Sequence, residues 1–183
     1  MKVDIFPNSF FFKYKAPNAQ EIIDKANSYD EKLVDNSKFH WNYHNNSNCI
    51  ELKWEDWINL FKPTLDLLSK DINKDFKYTI FNPWLNLYSK GHSQETHDHH
   101  GFDFSLLFIV NHGPDFSQFY FLDRNSIAIS PNVTALIGYN NLFEPKLVAG
   151  DVLIFPSNQL HGVFPHKSDI IRRSIALNFN INF

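Results

Sequence analysis

Trp84-Leu85-Asn86-Leu87-Tyr88-Ser89-Lys90-Gly91-His92-Ser93-Gln94-Glu95-Thr96-His97-Asp98-His99 is the stretch on which the reading of this chain turns. Its opening residues put Trp84, Asn86 and Tyr88 on one side and Leu85 and Leu87 on the other, the two-residue period of a half-buried strand. Gly91 breaks the pattern. The stretch then ends on two histidines separated by one residue, and residues two apart in a strand share a face. His97 and His99 are therefore expected to aim at one point.

Downstream and just upstream, short apolar runs are divided by Gly, Pro, Asn and Asp: Tyr78–Ile80, Trp84–Tyr88, Phe104–Asn111, Gln118–Leu122, Thr134–Ile137, Val152–Phe155, Gly162–Phe164 and Arg173–Ile181. They predict about eight strands, with too little chain between them for crossover helices, which favours antiparallel pairing in a barrel or two-sheet jelly roll. An aromatic content of 16% suits pleated, half-buried surfaces. The N-terminal part reads as helical. One helix is predicted from near Asn18, after Pro17, with Ile22, Ile23 and Ala26 on one face. A second runs from about Glu55 through Trp57, Leu60, Phe61, Leu65, Leu67, Leu68 and Ile72, and Pro63 is expected to kink or divide it. His40 to Ser47 is expected to form a strand and turn. No repeat or linker marks a second domain. The expectation is one mainly β domain with flanking N-terminal helices (α+β) over 1–183, helical support to about residue 76 and a jelly-roll core from about 77, with the helices outside one sheet.

Composition narrows the function classes. The net charge is −3, from 17 basic and 20 acidic residues spread along the chain, so no basic stripe supports duplex nucleic acid as a partner. Cys49 is the single cysteine and rules out an intramolecular disulfide. The first thirty or so residues lack a secretory pattern, and no apolar run approaches the roughly 20 residues that span a bilayer. A soluble, cytoplasmic protein with no membrane partner is expected.

Of nine histidines, His92, His97, His99 and His100 crowd together. Neutral imidazole suits divalent iron, zinc, copper and nickel. A third donor is offered by Gly150-Asp151-Val152-Leu153-Ile154-Phe155-Pro156-Ser157-Asn158-Gln159-Leu160-His161, a turn, an apolar strand, a second turn and a histidine that a jelly roll would return to the same mouth. A lone His at a strand end is usually a surface residue; the pair plus the distal His predicts a metal. On the last strand Arg172 and Ser174 share a face. A guanidinium inside a barrel calls for an anion, either a ligand carboxylate or an acidic side chain of the chain itself. Arg173, on the other face, is expected to be solvated.

These residues together resemble the iron(II)- and 2-oxoglutarate-dependent oxygenase superfamily, in particular a group common in bacteria and their phages. The likeness covers about Trp84 to Asn178 and rests on Trp84, Asn86, Tyr88, Gly91, Gln94, His97, His99, Ser105, Phe155, Pro156, Ser157, His161, Arg172 and Ser174, all in register with the group's pattern. The resemblance implies a double-stranded β-helix holding Fe(II) with His97, His99 and His161. It also implies that 2-oxoglutarate, the co-substrate consumed with O2, lies on Arg172 and Ser174. Asn86 and Tyr88 are similar to an Asn-x-Tyr that reaches the co-substrate in the AlkB-like branch. The implied reaction is hydroxylation with release of succinate and carbon dioxide, in a bacterial or phage-infected cell.

One departure stands out. Most of the superfamily has His-x-Asp or His-x-Glu, whereas here the acid lies between the histidines, leaving His99, Asp98 and Asp103 as alternatives for the third ligand. A cupin metalloprotein that does not use 2-oxoglutarate shares Gly91, the His-x-His pair, Gly150, Pro156 and His161, but has no place for Arg172-x-Ser174. A non-catalytic jelly-roll binding protein is the remaining alternative. The substrate, whether a protein side chain, a nucleobase or a small metabolite, would be set by loops such as His112 to Phe116 and Asn125 to Pro145, the second a candidate lid. Nothing in the sequence addresses the oligomeric state.

Overall fold

A computed structural model describes residues 9–29, 48–124 and 130–182. Within them, two antiparallel sheets pack face to face and helices cover one outer surface. The larger sheet runs in the order β1 (Phe12–Lys15), β8 (Asp151–Pro156), β5 (Phe104–Ile109), β10 (Arg172–Asn182), β3 (Lys77–Tyr88) and β2 (Asn48–Glu51). The smaller has β4 (Gln94–His97), β9 (His161–Val163), β6 (Phe119–Leu122) and β7 (Leu142–Phe143).

Alternation along the central strands explains both layers of the core. Leu106, Phe108, Val152, Ile154, Ile175 and Leu177 face the helices α1 (Ala19–Asn27) and α2 (Trp54–Asp71), where they meet Ile22, Ala26, Trp57, Phe61, Leu65 and Leu68. Leu107, Ile109, Leu153 and Phe155 point the other way and pack on Phe119, Phe121 and Val163 of the smaller sheet. A strand buried on both faces is apolar throughout, which is why Leu106–Ile109 and Val152–Phe155 read as unbroken apolar runs.

The structure departs from the sequence expectations in several places. Helix α2 is continuous through Pro63, with buried residues on both sides of it. The missing N–H and the ring's clash cost roughly 3 kcal/mol, less than the burial of several large side chains at about 1.5–3 kcal/mol each. Tyr78–Ile80 and Trp84–Tyr88 are parts of one strand, β3, and a register shift opposite Ala176/Asn178 absorbs the Asn82-Pro83 step. Thr134–Ile137 is not a strand but the end of a helix, α3 (Pro131–Ile137), with Pro131 in its first turn and Gly138 closing it at φ 63°. Its Leu136 and Ile137 are exposed; among the described residues no strand pairs with them. The N-terminal part is not purely helical either, because β1 and β2 complete the larger sheet. The expected strand and turn at His40 to Ser47, and the start of the candidate lid at Asn125, lie outside the described residues; the rest of that lid contains α3 and β7. No helix among the described residues is long and apolar enough to cross a membrane.

Candidate metal centre

His97 closes β4 and His161 opens β9, and the two are direct partners across the antiparallel ladder. Side chains opposite each other in such a pair are neighbours, and their rings lie 4.3 Å apart between centroids. His99 reaches the same point by a different route from the one the strand period implied. It lies beyond the end of β4 and is fixed by its backbone N–H, which donates to the Ser157 carbonyl at 2.8 Å. Its ring is 5.0 Å from that of His97 and 5.2 Å from that of His161. One ligand nitrogen from each of the three histidines lies within 4.8 Å of the others. Small side-chain rotations bring such a set to the roughly 3 Å separating neighbouring donors bound about 2.1 Å from one ion.

The donors are set up for a cation. His97 Nδ1 pairs with the Glu95 carbonyl at 2.7 Å and His161 Nδ1 with the Gln159 carbonyl at 2.8 Å. A carbonyl can only accept, so both rings carry the proton on Nδ1 and leave Nε2 with its lone pair. Burial holds all three imidazoles below their ordinary pKa, and repulsion from the neighbouring rings adds to this at His99 and His161; His99 falls to about 4. The triad is therefore neutral near pH 7. Phe155 and Phe119 pack on His161, at 4.9 and 5.6 Å between ring centroids, and keep that side dry.

Neither aspartate considered as a ligand joins the three histidines. Asp98 is tied to the Arg124 guanidinium and lies 3.2 Å from His100 Nε2. Asp103 Oδ2 accepts the Ile181 N–H at 2.8 Å. Arg124 also donates to the Asn158 carbonyl at 3.0 Å, so one guanidinium joins the loop carrying His99 to the turn before His161.

On the larger sheet, cross-strand register sets Arg172 opposite Tyr88, Ser174 opposite Asn86 and Ala176 opposite Trp84. Ser174, Asn86 and Tyr88 line one narrow cavity with the three histidines. Arg172 does not line that cavity but lies beside two of its lining residues, 3% exposed, its guanidinium 5.0 Å from the Tyr88 ring and 3.4 Å from Ser174 Oγ. Among the described residues no carboxylate forms an ion pair with it. Desolvation lowers its pKa, yet a guanidinium stays charged in any protein. The site thus holds a buried cation in want of an anion. Arg173, expected to be solvated, instead donates to the Ala26 carbonyl at 3.2 Å, pinning α1 to the sheet.

A buried hydrogen-bond set not foreseen from the sequence supports His99 from below: Ser105 Oγ donates to Asn178 Oδ1 at 2.8 Å and lies 2.9 Å from Ser157 Oγ. Ser105 and Ser157 could be picked out only through the family likeness. Asn178 and Arg124 carry no local signal, since their partners are remote in sequence.

Residues 82–178 match the profile of a family described as "Putative 2OG-Fe(II) oxygenase". No curated protein sequence matches the chain. Among solved structures, a 2OG-Fe(II) oxygenase family oxidoreductase from Burkholderia pseudomallei is similar over 93% of this chain and 84% of its own, with TM-score 0.65 and 12% identity. HygX from Streptomyces hygroscopicus, solved with nickel and 2-oxoglutarate bound, is similar over 94% and 83%, with TM-score 0.64 and 12% identity. A Pseudomonas putida prolyl-4-hydroxylase is similar over 94% and 92%, with TM-score 0.64 and 12% identity.

The fold is a double-stranded β-helix, and its open end carries a triad of neutral histidines. The family match spans just over half of the chain, and the chain belongs to the 2OG-Fe(II) oxygenases. Iron(II) and 2-oxoglutarate are accordingly its cofactors, and the cupin alternative falls away. The donor set fits the metal: three neutral nitrogens converge, and a buried cation with no carboxylate partner among the described residues lies against Tyr88 and Ser174, which line the same cavity as the histidines.

Proposed function

We propose that the chain is a single-domain hydroxylase in which His97, His99 and His161 hold iron(II) while Arg172 and Ser174 bind the distal carboxylate of 2-oxoglutarate. The observation that carries this reading is the buried Arg172, which has no carboxylate partner among the described residues and shares a face with Ser174, Asn86 and Tyr88 toward the triad. A planar guanidinium matches a carboxylate two-to-two, and the Ser hydroxyl adds a third donor.

When bound, iron(II) and 2-oxoglutarate supply, with dioxygen, the oxidant that inserts oxygen into a C–H bond, releasing succinate and carbon dioxide. The chain's own residues do the rest. Tyr88 stacks on the guanidinium and fixes its plane. The Asn86 amide, whose oxygen accepts from the Cys49 thiol at 3.1 Å, directs its NH2 group toward the co-substrate. The Glu95 and Gln159 carbonyls keep the proton off the liganding nitrogens. Phe119 and Phe155 exclude water from the metal side. Two neutral imidazoles with a carboxylate would leave iron(II) a net charge of +1; three imidazoles leave +2, which strengthens its hold on an anionic co-substrate.

Anaerobic titration of the iron(II)-loaded protein with 2-oxoglutarate tests this. A weak visible charge-transfer band is expected in the wild type, and Arg172→Ala should require far more co-substrate to develop it. Absence of the band with iron demonstrably bound would leave a non-catalytic jelly-roll binding protein.

A further inference from the structure

Outside the triad the cavity widens into a cleft of about 750 Å³ whose walls are aromatic. Trp54, at the start of α2, and Phe81, on β3, remain 45% and 39% exposed, high for side chains of that size on the same cleft. Phe102 packs on Phe81 at 4.9 Å between centroids, and Trp84 lies 5.8 Å from the His99 ring, joining the walls to the metal centre. An aromatic patch left open beside a reaction centre is a binding surface rather than a folding residue.

The polar groups at the neck are amides. Gln94 and Asn178 line both the inner cavity and the outer cleft. The Asn178 oxygen is used by Ser105. Neither its NH2 group nor the Gln94 amide makes a hydrogen bond among the described residues, and both face the open volume. Among the described residues no Lys or Arg lines the cleft, and the one carboxylate there, Asp98, is already paired with Arg124 and His100.

Resting on the hydroxylase reading above, we propose that the substrate presents an uncharged group with a flat apolar body and an amide-like edge. The body stacks between Trp54, Phe81, Trp84 and Phe102, and the edge bonds to Gln94 and Asn178. A phosphate or carboxylate next to the reacting group finds no counter-charge among the described residues of the cleft and is disfavoured, because burying an unpaired anion is costly. An aromatic residue inside a peptide and a free heterocyclic amide both carry this chemistry.

The test uses the full chain loaded with nickel(II) and 2-oxoglutarate, with binding followed by saturation-transfer NMR. The probes are two matched sets: N-acetyl-phenylalanine amide against N-acetyl-phenylalanine, and uracil against uridine monophosphate. The neutral member of one set is expected to bind at least about tenfold more tightly than its anionic partner, and which set shows the preference separates a peptide from a free heterocycle as the source. Trp54→Ala and Phe81→Ser, both at exposed positions and so compatible with folding, should each weaken the neutral probe several-fold, with nickel and 2-oxoglutarate affinities unchanged. Equal or tighter binding of the anions, no binding of either neutral probe at millimolar concentration, or binding indifferent to Trp54 and Phe81 each overturns the proposal. Nickel and 2-oxoglutarate binding, measured in the same samples, reports separately on the hydroxylase reading: its loss with probe binding intact sinks that reading and not this one.

Discussion

Replacing Arg172 by Met should separate stability from ligand binding, with opposite signs. The guanidinium is 3% exposed, stacks 5.0 Å from Tyr88 and reaches Ser174 at a long 3.4 Å. These contacts contribute about 1–2 kcal/mol for the cation over the ring and at most about 1.5 kcal/mol for the stretched hydrogen bond. Against them stands a desolvation penalty of several kcal/mol for a buried ion with no carboxylate partner among the described residues. Methionine keeps much of the volume and none of the charge. The metal-free variant is therefore expected to melt at or above the wild-type temperature. Toward 2-oxoglutarate the sign reverses. Removing one member of a buried charge pair costs about 2–5 kcal/mol, or roughly 30- to several-thousand-fold in affinity. Thermal melts of the metal-free proteins, followed by calorimetric titration of the nickel-loaded proteins with 2-oxoglutarate, measure both. A variant destabilised by several kcal/mol that keeps its 2-oxoglutarate affinity would show Arg172 to be a structural residue and refute the argument.

Acid should weaken the metal-free protein through the same histidines that bind metal. His99 titrates at about 4 when folded against 6.5 ordinarily. As pH falls the unfolded chain takes the proton first, so stability that is complete above about pH 6.5 is lost on the way to pH 4, on the order of 3 kcal/mol for this residue. Melting after chelator treatment between pH 7.5 and 4.5 checks this, and a flat profile contradicts it. Asp98→Ala should leave metal stoichiometry intact, because Asp98 is engaged with Arg124 and His100, whereas His99→Ala should lower nickel affinity by ~100-fold or more, beyond the 10–100-fold typical of losing a supporting contact. Equilibrium dialysis distinguishes them, and the reverse ranking would make Asp98 the third ligand. Gly162→Ala should disturb the site without touching a ligand, since a Cβ there would stand 2.5 Å from the Tyr120 hydroxyl and 2.9 Å from the Gln94 carbonyl. About 1–3 kcal/mol of stability is expected to go, together with some nickel affinity as β9 shifts beside His161; an unchanged melting temperature would contradict the packing.

The sequence by itself determined the strand-rich core, the two histidine-bearing segments and the Arg172-x-Ser174 face. Each of these is a local pattern: a period of two, a spacing of two, a turn followed by a strand. It misread Thr134–Ile137, where an apolar run without polar alternation carries no periodicity, and the outcome followed from Pro131 and Gly138 at its ends. Pro63 was weighed by its local cost, while the continuity of α2 depends on what both halves bury against the sheet. The choice between His99 and the two aspartates was also beyond local reading. It rests on contacts made by remote residues: Arg124 and His100 hold Asp98, Ile181 holds Asp103, and the Ser157 carbonyl holds the His99 backbone. Charge pairing and backbone hydrogen bonds between distant segments leave no periodic trace along the chain, so only the tertiary structure decided which of Asp98, His99 and Asp103 faces the other two histidines.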